Sequence, residues 1–178
     1  MLSNGRTFSP PGLPTSMALR EISLSLPNRP GALAVVARTL AKHHINVAAI
    51  TVDSSRTKGR VRLIVSDPDR AQALLSAAGY PTEEREMIAV RLEDRAGSFL
   101  QVLETLAKGD VNVQSVAILV AREGNHPLVA LSASDLAKAR RLLRQSGFAS
   151  QLADRLVSNP DLVAAAPSIP SETVGMLL

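Results

Sequence analysis

Hydrophobic and polar residues alternate at the first ordered stretch of the chain. Ile22, Leu24 and Leu26 interleave with Glu21, Ser23 and Ser25, and a period of two predicts a strand with one buried face. After the turn Asn28-Arg29-Pro30-Gly31 the period changes. Leu33, Val36, Ala37, Leu40 and Ala41 fall at i, i+3, i+4, i+7 and i+8, the apolar stripe of an amphipathic helix over Gly31–Lys42. Residues 45–52 are rich in β-branched side chains and predict a second strand. Ser54 to Gly59 read as a polar hairpin loop, and Val61, Leu63 and Val65 alternate as a third strand. Asp67-Pro68 is a helix start, with a capping acceptor followed by a proline in the first turn. Ala71, Leu74, Leu75 and Ala78 line that helix, Gly79 ends it, and a short strand near Thr82 to Glu86 closes the unit.

The same order then recurs 66 residues later. Leu26-Pro27-Asn28-Arg29-Pro30-Gly31 is matched by Leu92-Glu93-Asp94-Arg95-Ala96-Gly97, Thr39-Leu40-Ala41-Lys42 by Thr105-Leu106-Ala107-Lys108, and Asn46-Val47 by Asn112-Val113. Ile88, Val90 and Leu92 form the opening strand of the second copy. Phe99, Val102, Leu103, Leu106 and Ala107 repeat the helix stripe over Gly97–Lys108. Val111 to Val120 and Leu128 to Leu131 are strands around the turn Glu123-Gly124-Asn125. Ser134 is expected to cap a helix running to Gln145 and stopped by Gly147. Residues 149–157 suit either a closing strand or a helix.

A duplicated pattern of this kind implies two structural units. Each reads strand-helix-strand-strand-helix-strand. The expected class is therefore α+β, two tandem ferredoxin-like βαββαβ sandwiches with both helices of a unit on one face of its sheet. The boundaries follow as a flexible leader over 1–16, a first unit over 17–85, a second over 86–158 and a flexible tail over 159–178. Leader and tail lack the periodicity needed to bury surface, and Met17 is an alternative start. Only about fourteen residues separate Gly79 from Asp94, so the last strand of one unit runs almost directly into the first of the next.

Composition narrows the chemistry. Hydrophobic residues make up 46 % of the chain and aromatic residues 2 %, so the cores are built from Ala, Val, Leu and Ile. There is no cysteine, which excludes disulfides, thiolate nucleophiles and cysteine-type zinc sites, and suits a cytoplasmic protein. No apolar run reaches ~18 residues, so no membrane span is expected. The net charge of +4 is that of an ordinary solvated surface. His43, His44 and His126 have no matching carboxylate cluster in the sequence, and no nucleophile motif, phosphate loop or dinucleotide fingerprint occurs. No catalytic residue, cofactor or metal is therefore expected. Ferredoxin-like sheets that bind RNA stack bases on aromatics of central strands. Phe8, Tyr80, Phe99 and Phe148 lie elsewhere, so no nucleic-acid partner is expected.

The turn Asn28-Arg29-Pro30-Gly31-Ala32-Leu33, the helix behind it and the Ile45-Asn46-Val47 strand start resemble the ACT domain, a small ligand-sensing module of amino-acid metabolism. The resemblance spans about residues 18–148. The whole chain is similar to stand-alone tandem ACT proteins, which include the glycine-cleavage repressor type and the small regulatory subunit of acetolactate synthase. It implies a non-catalytic regulatory protein that binds a small amino acid between a turn of one domain and the second strand of a paired domain. The turn residues would be Asn28, Arg29, Pro30, Gly31, Ala32 and Leu33, or Asp94, Arg95, Ala96, Gly97 and Ser98. The strand residues would be Asn46, Val47, Ala48 and Ile50, or Asn112, Val113, Gln114 and Val116. A homodimer and an enzyme or regulator partner are implied with it. The alternative is a regulatory small subunit of a biosynthetic enzyme of the acetolactate synthase type.

The physics of the turn supports a ligand role. A helix N-terminus presents N–H groups without intrahelical partners and the positive end of the helix dipole, which together suit a carboxylate. Asn28 and Asp94 could cap the helices or meet an ammonium group. The same residues also suit a plain helix-start turn. The second turn should bind more weakly, because Ala96 stands where the first has Pro30, and Glu93-Asp94 places two negative charges beside the site.

Overall fold

The computed structural model describes residues 19–149, so the expected leader and tail lie outside the described residues. The order is β1 (Leu19–Pro27), α1 (Ala32–Lys42), β2 (Val47–Ser54), β3 (Lys58–Val65), α2 (Pro68–Ala77), β4 (Thr82–Arg91), α3 (Ser98–Lys108), β5 (Val113–Glu123), β6 (His126–Ala133) and α4 (Leu136–Gln145). The six strands form one antiparallel sheet in the order β2-β3-β1-β4-β6-β5.

The two short strands expected on either side of Met87 are a single strand. Thr82 to Met87 of β4 pair with β1, and Ile88 to Arg91 pair with β6. With so few residues between α2 and α3, the backbone has no room for a turn and continues straight from one unit into the other. The closing strand of the second unit is reached only at Ala149, which bridges to Val90; the rest of that segment lies outside the described residues.

Strand alternation divides the sheet into two faces. On the outer face Ile22, Leu24, Val61 and Leu63 pack with Val36, Leu40, Ala71 and Leu75 of α1 and α2. Val90, Val129 and Leu131 pack likewise with Val102, Leu106, Ala139 and Leu143 of α3 and α4. A third cluster occupies the inner face, where Leu19, Ala49 and Ile64 of the first unit meet Met87, Ala117, Leu119, Leu128 and Ala130 of the second. The sheet thus folds back on itself, and small side chains let its halves approach closely. Glu21, on the polar face of β1 in the sequence pattern, is only 3 % exposed because that face meets the second unit.

Helix starts follow local chemistry. Asp67 accepts from Arg70 N at the start of α2. The cap of α4 is Asp135, which accepts from Lys138 N, and not Ser134. Ser134 instead binds Asn112: its Oγ accepts from Asn112 N at 3.1 Å and its N donates to Asn112 O at 2.8 Å. Ser66 and Asn46 repeat that reciprocal pair in the first unit. Arg20 of β1 clasps Asp69 of α2 with two hydrogen bonds of 2.8 Å and reaches Glu84 at 3.1 Å. The Arg20 guanidinium holds the Asp69 carboxyl below its ordinary range. Arg140 of α4 binds Glu86, so both helices at the junction are tied to β4 or its neighbour.

Candidate functional site

The two turns share one backbone design. Gly31 and Gly97 occupy the N-cap positions of α1 and α3 with φ of 84° and 87°, and neither helix has a side-chain cap. That left-handed conformation favours glycine. No atom lies within 4 Å of a Cβ built on either residue, so each turn opens on free space.

Their polar residues are used differently. Asn28 does not cap α1; its Nδ2 donates to Ser55 O at 2.7 Å and its backbone N to Thr57 O, which ties the first turn to the β2–β3 hairpin. Asp94 in the second turn pairs with Arg122 of β5 at 2.6 Å, and Glu93 lies 3.7 Å from His126. Ser98 is buried and its Oγ donates to Glu93 O and Arg95 O. Asn28, Arg29, Pro30 and Gly31 are all exposed, and so are Asp94, Arg95, Ala96 and Gly97; each turn is anchored through its first polar residue, Asn28 or Asp94. Sequence reasoning passed over the roles of Ser55, Ser98 and Arg122. Ser98 carried a signal, since a hydroxyl stands there in place of Ala32 at the equivalent position.

Register separates each turn from the second strand of its own unit. Leu26 pairs with Gly59 and Val47 with Val65, so the first turn and the start of β2 lie at opposite ends of the sheet. The second unit repeats this, with Val113 opposite Ala133 and Glu123 opposite His126. Ala48 is buried in the inner cluster. Ile50 and Val116 are exposed on the outer face of β2 and β5, the two strands at the ends of the strand order. A ligand that touches both a turn and a second strand must therefore span two units or two chains. Among the described residues, no group of three or more His, Cys, Asp or Glu side chains could hold a metal ion, and no helix is long and apolar enough to cross a membrane.

The architecture defines a class: two fused ferredoxin-like units sharing one sheet. The first of them matches the model of the ACT domain family over residues 20–78, most of its length. The second unit repeats its element order and its glycine-capped turn. Among solved structures, a protein from Bacteroides thetaiotaomicron superposes with a TM-score of 0.72 at 24 % identity, covering 80 % of this chain and 98 % of its own. The ligand-free regulatory subunit of aspartate kinase from Thermus thermophilus superposes with a TM-score of 0.54 at 18 % identity, over 74 % of this chain and 95 % of its own. The corresponding Thermus flavus subunit gives 0.50 at 20 %, over 73 % and 93 %. No curated protein matches the sequence significantly.

Proposed function

We propose that this protein is a non-catalytic regulator that binds a small amino acid at its ACT-type turns and signals through the pairing of its domains. The observation that carries this reading is the open, glycine-capped start of α1 within a matched ACT domain. Two similar structures are named as regulatory subunits of aspartate kinase, which supports a regulatory role here as well. The N–H groups at the start of α1 receive the ligand carboxylate, and exposure of Asn28 to Gly31 leaves room for it. The second turn contributes less, because Glu93 and Asp94 set two carboxylates beside it and Ala96 stands where the first turn has the rigid Pro30.

Signalling follows from linkage. A ligand shared between two domains stabilises the arrangement in which both contact it, and a partner reads that arrangement. The outer faces of β2 and β5 expose Ile50, Val52, Val116, Ile118 and Val120. Apolar edge strands are usually covered, and a second copy of the chain covers these. The alternative reading, a small subunit of a biosynthetic enzyme such as acetolactate synthase, uses the same surfaces for a catalytic partner.

Thermal-shift measurements with each of the twenty amino acids test the proposal. Stabilisation by one or a few of them, lost in Gly31→Val and largely kept in Gly97→Val, is the expected result. No stabilisation by any amino acid at millimolar concentration contradicts it.

A further inference from the structure

The second unit covers only part of the inner face of the first. Leu19 and Glu21 are buried beneath it, but Ser23 is half-buried and Ser25 exposed. A cleft of about 260 Å³ lies there, lined by Ser23, Ser25, Arg60, Thr82 and Glu83 among others. It adjoins a second of about 300 Å³ that shares Ser25 and Arg60 and adds Asp53 and Lys58. Register sets the arrangement. Arg60 stands opposite Ser25 and Glu83 opposite Ser23, so β1 supplies a floor of two hydroxyls between a guanidinium on β3 and a carboxylate on β4.

We propose that this cleft binds a zwitterionic molecule of amino-acid size, its carboxylate on Arg60 and its ammonium group on Glu83, with a polar side chain extending toward Asp53 and Lys58. Arg60 and Glu83 now pair with each other at 2.6 Å across the cleft, and Ser23 Oγ lies 3.5 Å from the same carboxylate oxygen. Both side chains are more than half exposed. An exposed pair of this kind contributes little to stability. A molecule carrying both charges replaces each half of it and leaves neither side chain unpaired.

The polar set is particular to the first unit. At the equivalent positions of the second unit Ser23 becomes Ala89 and Arg60 becomes Leu128, since Arg60 pairs with Ser25 as Leu128 pairs with Arg91, and both replacements are apolar. It is therefore not a requirement of the fold. It also lies on the face of the sheet opposite the helices, so the inference goes beyond the turn site and does not rest on it.

Isothermal titration of the full chain with each of the twenty amino acids tests the cleft. The comparison is between the unaltered protein, Arg60→Ala, Glu83→Ala and Gly31→Val. The expected result is an amino acid whose affinity falls about tenfold or more in both cleft variants, the loss typical of a charged hydrogen bond, and is unchanged in Gly31→Val. The N-acetylated and the C-amidated forms of that amino acid, each lacking one of the two charges, should both fail to bind. Equal affinity in all four proteins overturns the cleft, and so does loss only in Gly31→Val, which leaves the turn. Loss only in the cleft variants does the reverse, and no heat with any amino acid overturns both.

Discussion

Glu21 and Ser115 meet across the two halves of the sheet, Ser115 Oγ lying 3.4 Å from Glu21 Oε2. Their equivalents in the repeat are Met87 and Ala49, which share the inner apolar cluster. A carboxylate beside a hydroxyl in one place thus corresponds to a thioether and a methyl of one apolar cluster in the other. The two halves are related by sequence but joined by different chemistry.

That exchange can be reproduced. Removing the hydroxyl in Ser115→Ala leaves a buried carboxylate without its donor and should cost about 1 kcal/mol or more. Adding Glu21→Met should recover most of that loss, because it copies the apolar pair already tolerated in the same cluster. Urea denaturation of the two single variants and the double variant gives the coupling directly. Additive losses would show that the two residues do not act as a pair.

Arg20 ties α2 to the sheet and lowers the Asp69 carboxyl. An acid held below its unfolded value contributes stability that is present above the unfolded value and is lost as pH falls through the folded one. The contribution therefore vanishes in the acid range, below about pH 4. Asp69 is largely exposed, so Asp69→Asn should cost less than about 1 kcal/mol at neutral pH. It should also flatten the acid limb of the stability profile. An unchanged profile between pH 2 and pH 5 would contradict this role.

Edge covering by a second copy predicts a change in mass. Ile118 is 77 % exposed on the outer face of β5, between Val116 and Val120. Ile118→Lys should leave the monomer fold intact and shift the mass measured by light scattering at tens of micromolar from dimer to monomer. A monomeric mass for the unaltered protein, with and without amino acids, would remove the second copy as the covering partner.

The periodicities made the element order legible. The stripe Val36, Leu40 at one fixed shift from Val102, Leu106 located α1 and α3, and Gly31 and Gly97 marked their starts. Three features were not legible, each because it depends on tertiary packing. Thr82 to Arg91 read as two strands, since nothing local shows that one strand can serve both units. Glu21 read as a polar position, since only the folding-back of the sheet buries it. Asn28 has the chemistry of a helix cap, but the N-cap position falls three residues later, at Gly31, and the Asn28 amide donates to Ser55 O instead. The turn glycines of the candidate site were visible in the sequence; the anchoring of the two turns was not, because Asn28 is held by Ser55 and Asp94 by Arg122, both far along the chain from the motif.

The most direct measurement is the ligand-induced stability of the unaltered protein beside Gly31→Val and Gly97→Val. Gly31 has φ of 84° with open space around it, so a valine strains the turn and fills the approach to the helix N-terminus. An amino acid at ~100 times its Kd should add about 2.7 kcal/mol to the stability of the unaltered protein. That gain should largely disappear in Gly31→Val and persist in Gly97→Val, with both variants folded by circular dichroism. Absence of stabilisation by any of the twenty amino acids, or an equal gain in all three proteins, would contradict amino-acid sensing at the first turn.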